Sequence, residues 1–188
     1  AMDIQHQWQH KEGLKWRPFQ LAFILLNIPS IVRGDGRYCD LLWVPTGTGK
    51  TEAYLGLAAF TLAYRRRRAL KEGRSGAGCA ILMRYTLRLL TIQQFRRALR
   101  MITACELLRV HGLGSGPVGW RPGKCPLKDD FIWGGERFSI GLWVGGQMTP
   151  NALYRREAYA QQVLREYPGA LDILKGEGGE GEPAQVIS

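Results

Sequence analysis

Pro45, Thr46, Gly47, Thr48, Gly49, Lys50 and Thr51 form the stretch that most constrains what this chain can fold into. The apolar run Leu41, Leu42, Trp43 and Val44 before it reads as a buried strand, and residues 52–64 after it read as a helix. A strand, a Gly-rich turn and a helix, in that order, is the setting a phosphate-binding loop requires. The glycines let backbone N–H groups converge on phosphate oxygens, and the new helix directs its positive end at them. In such a loop Lys50 reaches the β- and γ-phosphates and the Thr51 hydroxyl ligates Mg²⁺. Val44 stands where the usual pattern has its first Gly, a position that mainly closes the turn.

The strand–turn–helix order repeats along the chain. The apolar segment that follows Trp16-Arg17-Pro18-Phe19-Gln20 is expected to run as a helix to about Leu26, before Pro29 and the Gly34-Asp35-Gly36 cluster break it. The helix after the Gly-rich loop is apolar nearly all round and ends in Arg65, Arg66, Arg67 and Arg68, cations suited to a helix C-terminus. Residues 79–83 form a second apolar run, and a long helix follows from Thr86, its expected N-cap. On that helix Arg88, Arg96, Arg97 and Arg100 read as a solvated face, and the Arg65–Arg68 run as a solvated helix end, with nucleic-acid contact as its second reading. Residues 112–135 are rich in Gly and Pro and too long for a simple connector. A third strand is expected over 138–144, and a helix from Pro150 to about residue 166. Residues 167–188 read as a Gly/Glu-rich linker or mobile tail. Strands alternating with helices predict an α/β fold with a parallel sheet, although three strands are few for a complete nucleotide-binding domain.

Composition narrows the class further. Lys and Arg number 26 against 16 Asp and Glu, a formal charge of +10 that favours an anionic polymer as partner. Cys39, Cys79, Cys105 and Cys125 are scattered without a zinc spacing, as reduced thiols of a cytoplasmic protein would be. His6 and His10 share a helix face but lack a third ligand. The most apolar stretch, 21–32, is interrupted by Asn27 and Pro29 and is too short to cross a bilayer. Ala1 and Met2 resemble a tag-cleavage remnant.

With these residues in view, the chain resembles the first RecA-like motor domain of a superfamily 2 helicase. Arg17-Pro18-Phe19-Gln20 is similar to the upstream element in which a Gln reads adenine, and residues 45–52 to motif I. Residues 84–90, from Arg84 through Thr86, resemble motif Ia, which implies contact with a nucleic-acid backbone. Gly145 and Gly146, with Thr149, occupy the place of a Gly-rich element touching the same strand. The phrases PTGTGKTEAYLGL, MRYTLRLLTIQQ and SIGLWVGG look like the helicase subunits of bacterial anti-phage DISARM systems, over most of residues 14–156.

The resemblance implies ATP and Mg²⁺ as cofactors, DNA held by sequence-independent backbone contacts, and a second defence-system subunit as a further partner. Gln20, Thr46, Gly47, Thr48, Gly49, Lys50 and Thr51 are the candidate nucleotide-binding residues, with Thr51 as the metal ligand. Arg84, Thr86, Gly145, Gly146 and Thr149 are the candidate nucleic-acid contacts. One departure stands out. No acidic pair ends an apolar strand after Gly146, and Asp129-Asp130 and Glu136 lie in loops. Such a pair would hold Mg²⁺ and orient the attacking water, so the chain by itself is expected to bind nucleotide without turning it over. Two other readings share the loop: a P-loop translocase of restriction or remodelling type, and a nucleotide-binding interaction module without catalysis.

Overall fold

The computed structural model describes residues 1–34, 36, 39–85, 88–114, 116–123, 130–142, 156–160 and 163–167. They fall into two units, 1–138 and 139–188, each described by itself.

The first unit is built on four helices: α1 (Met2–His10), α2 (Pro18–Arg33), α3 (Lys50–Lys71) and α4 (Arg88–Val110). Helix α3 is central, with α1, α2 and α4 all packed against it, and α1 also touches α4. Small residues make the close approaches. Ala53, Ala58 and Ala69 of α3 and Ala98 and Ala104 of α4 are buried, so the helix backbones come near without large side chains between them. Around them Leu55, Met101 and Ile132 are fully buried, each contributing about 1.5–3 kcal/mol of transfer free energy. Cys105 lies in the same core, where burial pushes its thiol up to about 11. Met2, read from the sequence as a remnant, is buried too. No described helix is long and apolar enough to cross a membrane.

The expected parallel sheet is absent from the described residues, and the α/β assignment is corrected accordingly. Residues 39–45 and 79–85 form no strand, and 138–142 hold only a single bridge position at Ile140. A buried strand needs a ladder partner at its edges and cover on both faces. Leu41, Trp43 and Leu82 are instead 87, 90 and 89% exposed. The apolar runs were real, but an apolar run does not carry its own partners. Helices supply the core here, because α3 and α4 can bury their apolar faces on each other and on α1 and α2.

Three local expectations also shift. Helix α2 runs through Pro29 and stops at Gly34, whose φ of 71° makes the left-handed cap. A proline in a helix removes one hydrogen bond and need not end it when tertiary packing holds the rest. The Gly/Pro-rich segment folds back on the helices: Val118 pairs in parallel with Phe131, and its N–H donates to the Asp130 carbonyl at 2.5 Å. In the second unit, β1 (Arg156–Ala160) and β2 (Val163–Tyr167) form an antiparallel hairpin where a helix was expected. Tyr159 faces Leu164 and Ala160 faces Val163 across it. A window this short fits both periods, so periodicity alone does not separate a helix from a hairpin here.

Candidate phosphate-binding site

The Gly-rich stretch is a turn that ends where α3 begins. Gly47 and Gly49 both take left-handed backbones, φ 77° and 93°, and Gly49 is the N-cap of α3. Only glycine adopts such angles without strain, which is why two glycines flank Thr48. The Thr48 hydroxyl donates to the Pro45 carbonyl at 2.8 Å and closes the turn. Lys50 and Thr51 are the first two residues of α3, where backbone N–H groups have no intrahelical acceptor and the helix dipole is positive. The Lys50 ammonium folds back over the loop, donating to the Val44 carbonyl at 2.5 Å and the Pro45 carbonyl at 3.0 Å.

Whether these residues suit a triphosphate can be judged from the turn itself. A Cβ added at Gly47 would meet nothing within 4 Å, so the outer side of the loop is open. At Gly49 it would lie 2.7 Å from Gln20 Nε2, so the inner side is closed by α2. One open side, two left-handed glycines and a helix start with a lysine fit a phosphate group. Thr51, expected as a Mg²⁺ ligand, is the second residue of α3, and no group of three or more metal-ligating side chains occurs among the described residues.

Gln20 occupies a place the sequence did not foretell. It is 3% exposed; its Oε1 accepts from the Arg17 N–H at 2.8 Å, and its Nε2 donates to the Gly49 carbonyl at 2.8 Å. Both ends of the carboxamide are therefore engaged in tying α2 to the loop. Glu52, next to Thr51, forms an ion pair with Arg97 of α4. That corrects the reading of Arg97 as solvated, and the sequence carries no signal for a pair 45 residues apart. Arg84 is exposed at the end of the 79–85 segment. Its neighbour Tyr85 has its hydroxyl pushed up chiefly by burial, with Arg97 and Tyr54 also in electrostatic reach. This brings the Arg84 segment to the start of α3. Thr86, Gly145, Gly146, Thr149 and Asp129 lie outside the described residues.

The Arg65–Arg68 run is not a uniformly solvated helix end. Arg66 is buried: it donates to the Trp133 carbonyl at 3.0 Å and to the Glu136 carbonyl, and its guanidinium lies 4.7 Å from the Phe138 ring. Arg67 donates to the Ile132 carbonyl at 2.7 Å. Arg109 of α4 adds bonds to the Gly134 and Gly135 carbonyls at 3.2 and 3.1 Å and is paired with Glu106 at 2.5 Å. Three arginines thus clamp residues 132–137 onto α3 and α4 through backbone carbonyls.

Comparison with known proteins gives one relative of note. The chain is 47% identical over 168 residues to the DISARM protein DrmA of Bacillus paralicheniformis (strain ATCC 9945a / NCIMB 11709 / CD-2). The match covers 84% of this chain and 13% of that protein, so the chain spans about an eighth of its relative's length. No family model matches. No solved structure matches either.

Proposed function

We propose that this chain is the nucleotide-binding part of an anti-phage defence protein of DISARM type, which in its complete form is an ATP-dependent helicase or translocase acting on DNA. The observation that carries the reading is the turn at Gly47 and Gly49, which sets Lys50 and Thr51 at the head of a 22-residue helix. In this role the loop amides and the Lys50 ammonium cradle the phosphates, whose oxygens accept from Lys50 in place of the Val44 and Pro45 carbonyls, and Thr51 faces the metal. Bound ATP·Mg²⁺ supplies a transferable phosphoryl group; the chain supplies binding and orientation. The Glu52–Arg97 pair links the loop to α4, beside which Arg84 stands exposed for a DNA phosphate. The net charge of +10 supports a polyanionic partner, and the DISARM relative supports the defence setting.

Titration of a fluorescent ATP analogue with Mg²⁺, with and without DNA, tests the reading. Wild type is expected to bind saturably, and Lys50→Ala at least tenfold more weakly (about 1.4 kcal/mol), with unchanged circular dichroism. DNA should alter the nucleotide affinity, as coupling between two ligands of a motor requires. Equal binding by Lys50→Ala would overturn the proposal, and binding without coupling would leave only a passive module.

A further inference from the structure

Four consecutive arginines end α3, and the structure divides them by direction. Arg66 and Arg67 turn inward to the 132–137 carbonyls. Arg65 and Arg68 instead line a cavity of about 340 Å³ together with Arg74, Ser75, Tyr64 and Ile31. Capping of α3 does not account for these guanidinium groups. Its last carbonyls are already met by backbone amides: the Glu72 N–H donates to Arg68 and Ala69, Gly73 to Leu70, and Arg74 to Ala69.

Nor are the charges cancelled. Among the described residues Glu72 is the one carboxylate in contact, pairing with Arg68 at 3.0 Å and with Arg74. Arg65 donates to the Cys79 carbonyl at 2.6 Å and has no carboxylate partner among the described residues. Three guanidinium groups against one carboxylate leave the cavity positive, and a guanidinium fork suits a bidentate oxyanion. The distance from the loop is also informative. Arg65 lies fifteen residues beyond Lys50 on one helix, roughly 22 Å at 1.5 Å per residue, so a nucleotide held at Lys50 does not reach it.

We propose that this cavity is a second anion site, which takes a phosphate of a nucleic-acid backbone; it rests on the reading of the protein as one that acts on DNA. The contact is independent of base sequence, because the lining offers mainly guanidinium groups, and its one aromatic ring, Tyr64, stacks on Phe60 while its hydroxyl donates to the Val32 carbonyl. Glu72 acts as an internal competitor that the phosphate displaces from Arg68 and Arg74.

Fluorescence anisotropy with a labelled single-stranded 20-nucleotide DNA tests this in the full chain. Arg65→Ala/Arg68→Ala is expected to weaken binding about tenfold and to lower the salt slope by about 1.4, for two lost contacts. Lys15→Ala, which removes a remote exposed charge, should change affinity less than twofold. Glu72→Gln is expected to tighten binding about threefold, whereas Glu12→Gln, at another exposed carboxylate, should not. If wild type binds no DNA, the functional reading itself fails. If wild type binds and the double variant binds equally, or loses no more than Lys15→Ala, the cavity is not a DNA site. Inorganic phosphate that protects Arg65 and Arg68 from arginine-specific labelling, with DNA affinity unchanged in the double variant, would assign the cavity to a small anion and overturn the strand contact.

Discussion

The Gln20 carboxamide donates to the Gly49 carbonyl at 2.8 Å while accepting from the Arg17 N–H. One buried side chain thereby joins the start of α2 to the residue that caps α3. The loop's inner side is held against α2 by this contact, and its outer side, at Gly47, is open.

Removing the contact should therefore loosen the phosphate loop. Gln20→Ala removes the partner of the half-buried Gly49 carbonyl and of the Arg17 N–H, a loss of about 1 kcal/mol. Gln20→Glu keeps the acceptor for Arg17 but sets a carboxylate oxygen against the Gly49 carbonyl, so it should be no better tolerated. Urea unfolding of both variants, with nucleotide titration beside it, checks this. Wild-type stability in Gln20→Glu would show that the Gly49 contact contributes nothing.

Helix α2 and helix α3 meet closely at Gly56. A Cβ placed there would lie 2.7 Å from Trp16 Cη2 and 2.9 Å from Ile24 Cδ1. Two effects compete in Gly56→Ala: a gain of about 1 kcal/mol in helix propensity, and overpacking worth about 1–3 kcal/mol. The clash involves two side chains on packed elements, so overpacking is expected to win by about 1 kcal/mol. Pairing the change with Trp16→Phe should recover part of the loss in a double-mutant cycle. A stabilised single variant would mean that the helices part easily at this point.

Acid should release the clamp on residues 132–137. The Glu106 carboxyl is held below its ordinary range chiefly by the hydrogen bond from Arg109, with the Phe138 N–H adding to it. A carboxylate with a lowered folded-state pKa contributes stability that is complete above the ordinary value, about 4.5, and is lost as pH falls through the folded-state value. Unfolding free energy should thus decline on the acid side of pH 4.5. Glu106→Gln should cost about 1–2 kcal/mol at pH 7, since it removes the carboxylate paired with Arg109 and leaves Glu136 alone to offset the neighbouring Arg109 and Arg66 cations. Its stability should also vary less below pH 4.5. An acid limb identical to wild type would remove Glu106 from the account.

The Gly-rich turn was more legible than the fold. Turn chemistry is local, so Gly47, Gly49 and the lysine at a helix start could be read from neighbouring residues alone, and the structure puts all three where that reading expects. The end of α2 was misread at Pro29 because tertiary packing carried the helix on to Gly34. Residues 156–167 were misread because a short window cannot choose between two periods.

Local chemistry is what the sequence by itself determined: where the chain turns, which segment starts α3, and that apolar runs lie on either side of the loop. Only the tertiary structure decided what those runs meet. Leu41, Trp43 and Leu82 remain exposed without a ladder, so helices rather than a sheet make the described core. It also decided which arginines turn inward, since Arg66 and Arg67 find carbonyls about 65–71 positions away, at residues 132–137. Contacts at that separation depend on how elements pack in space, and no local pattern encodes them.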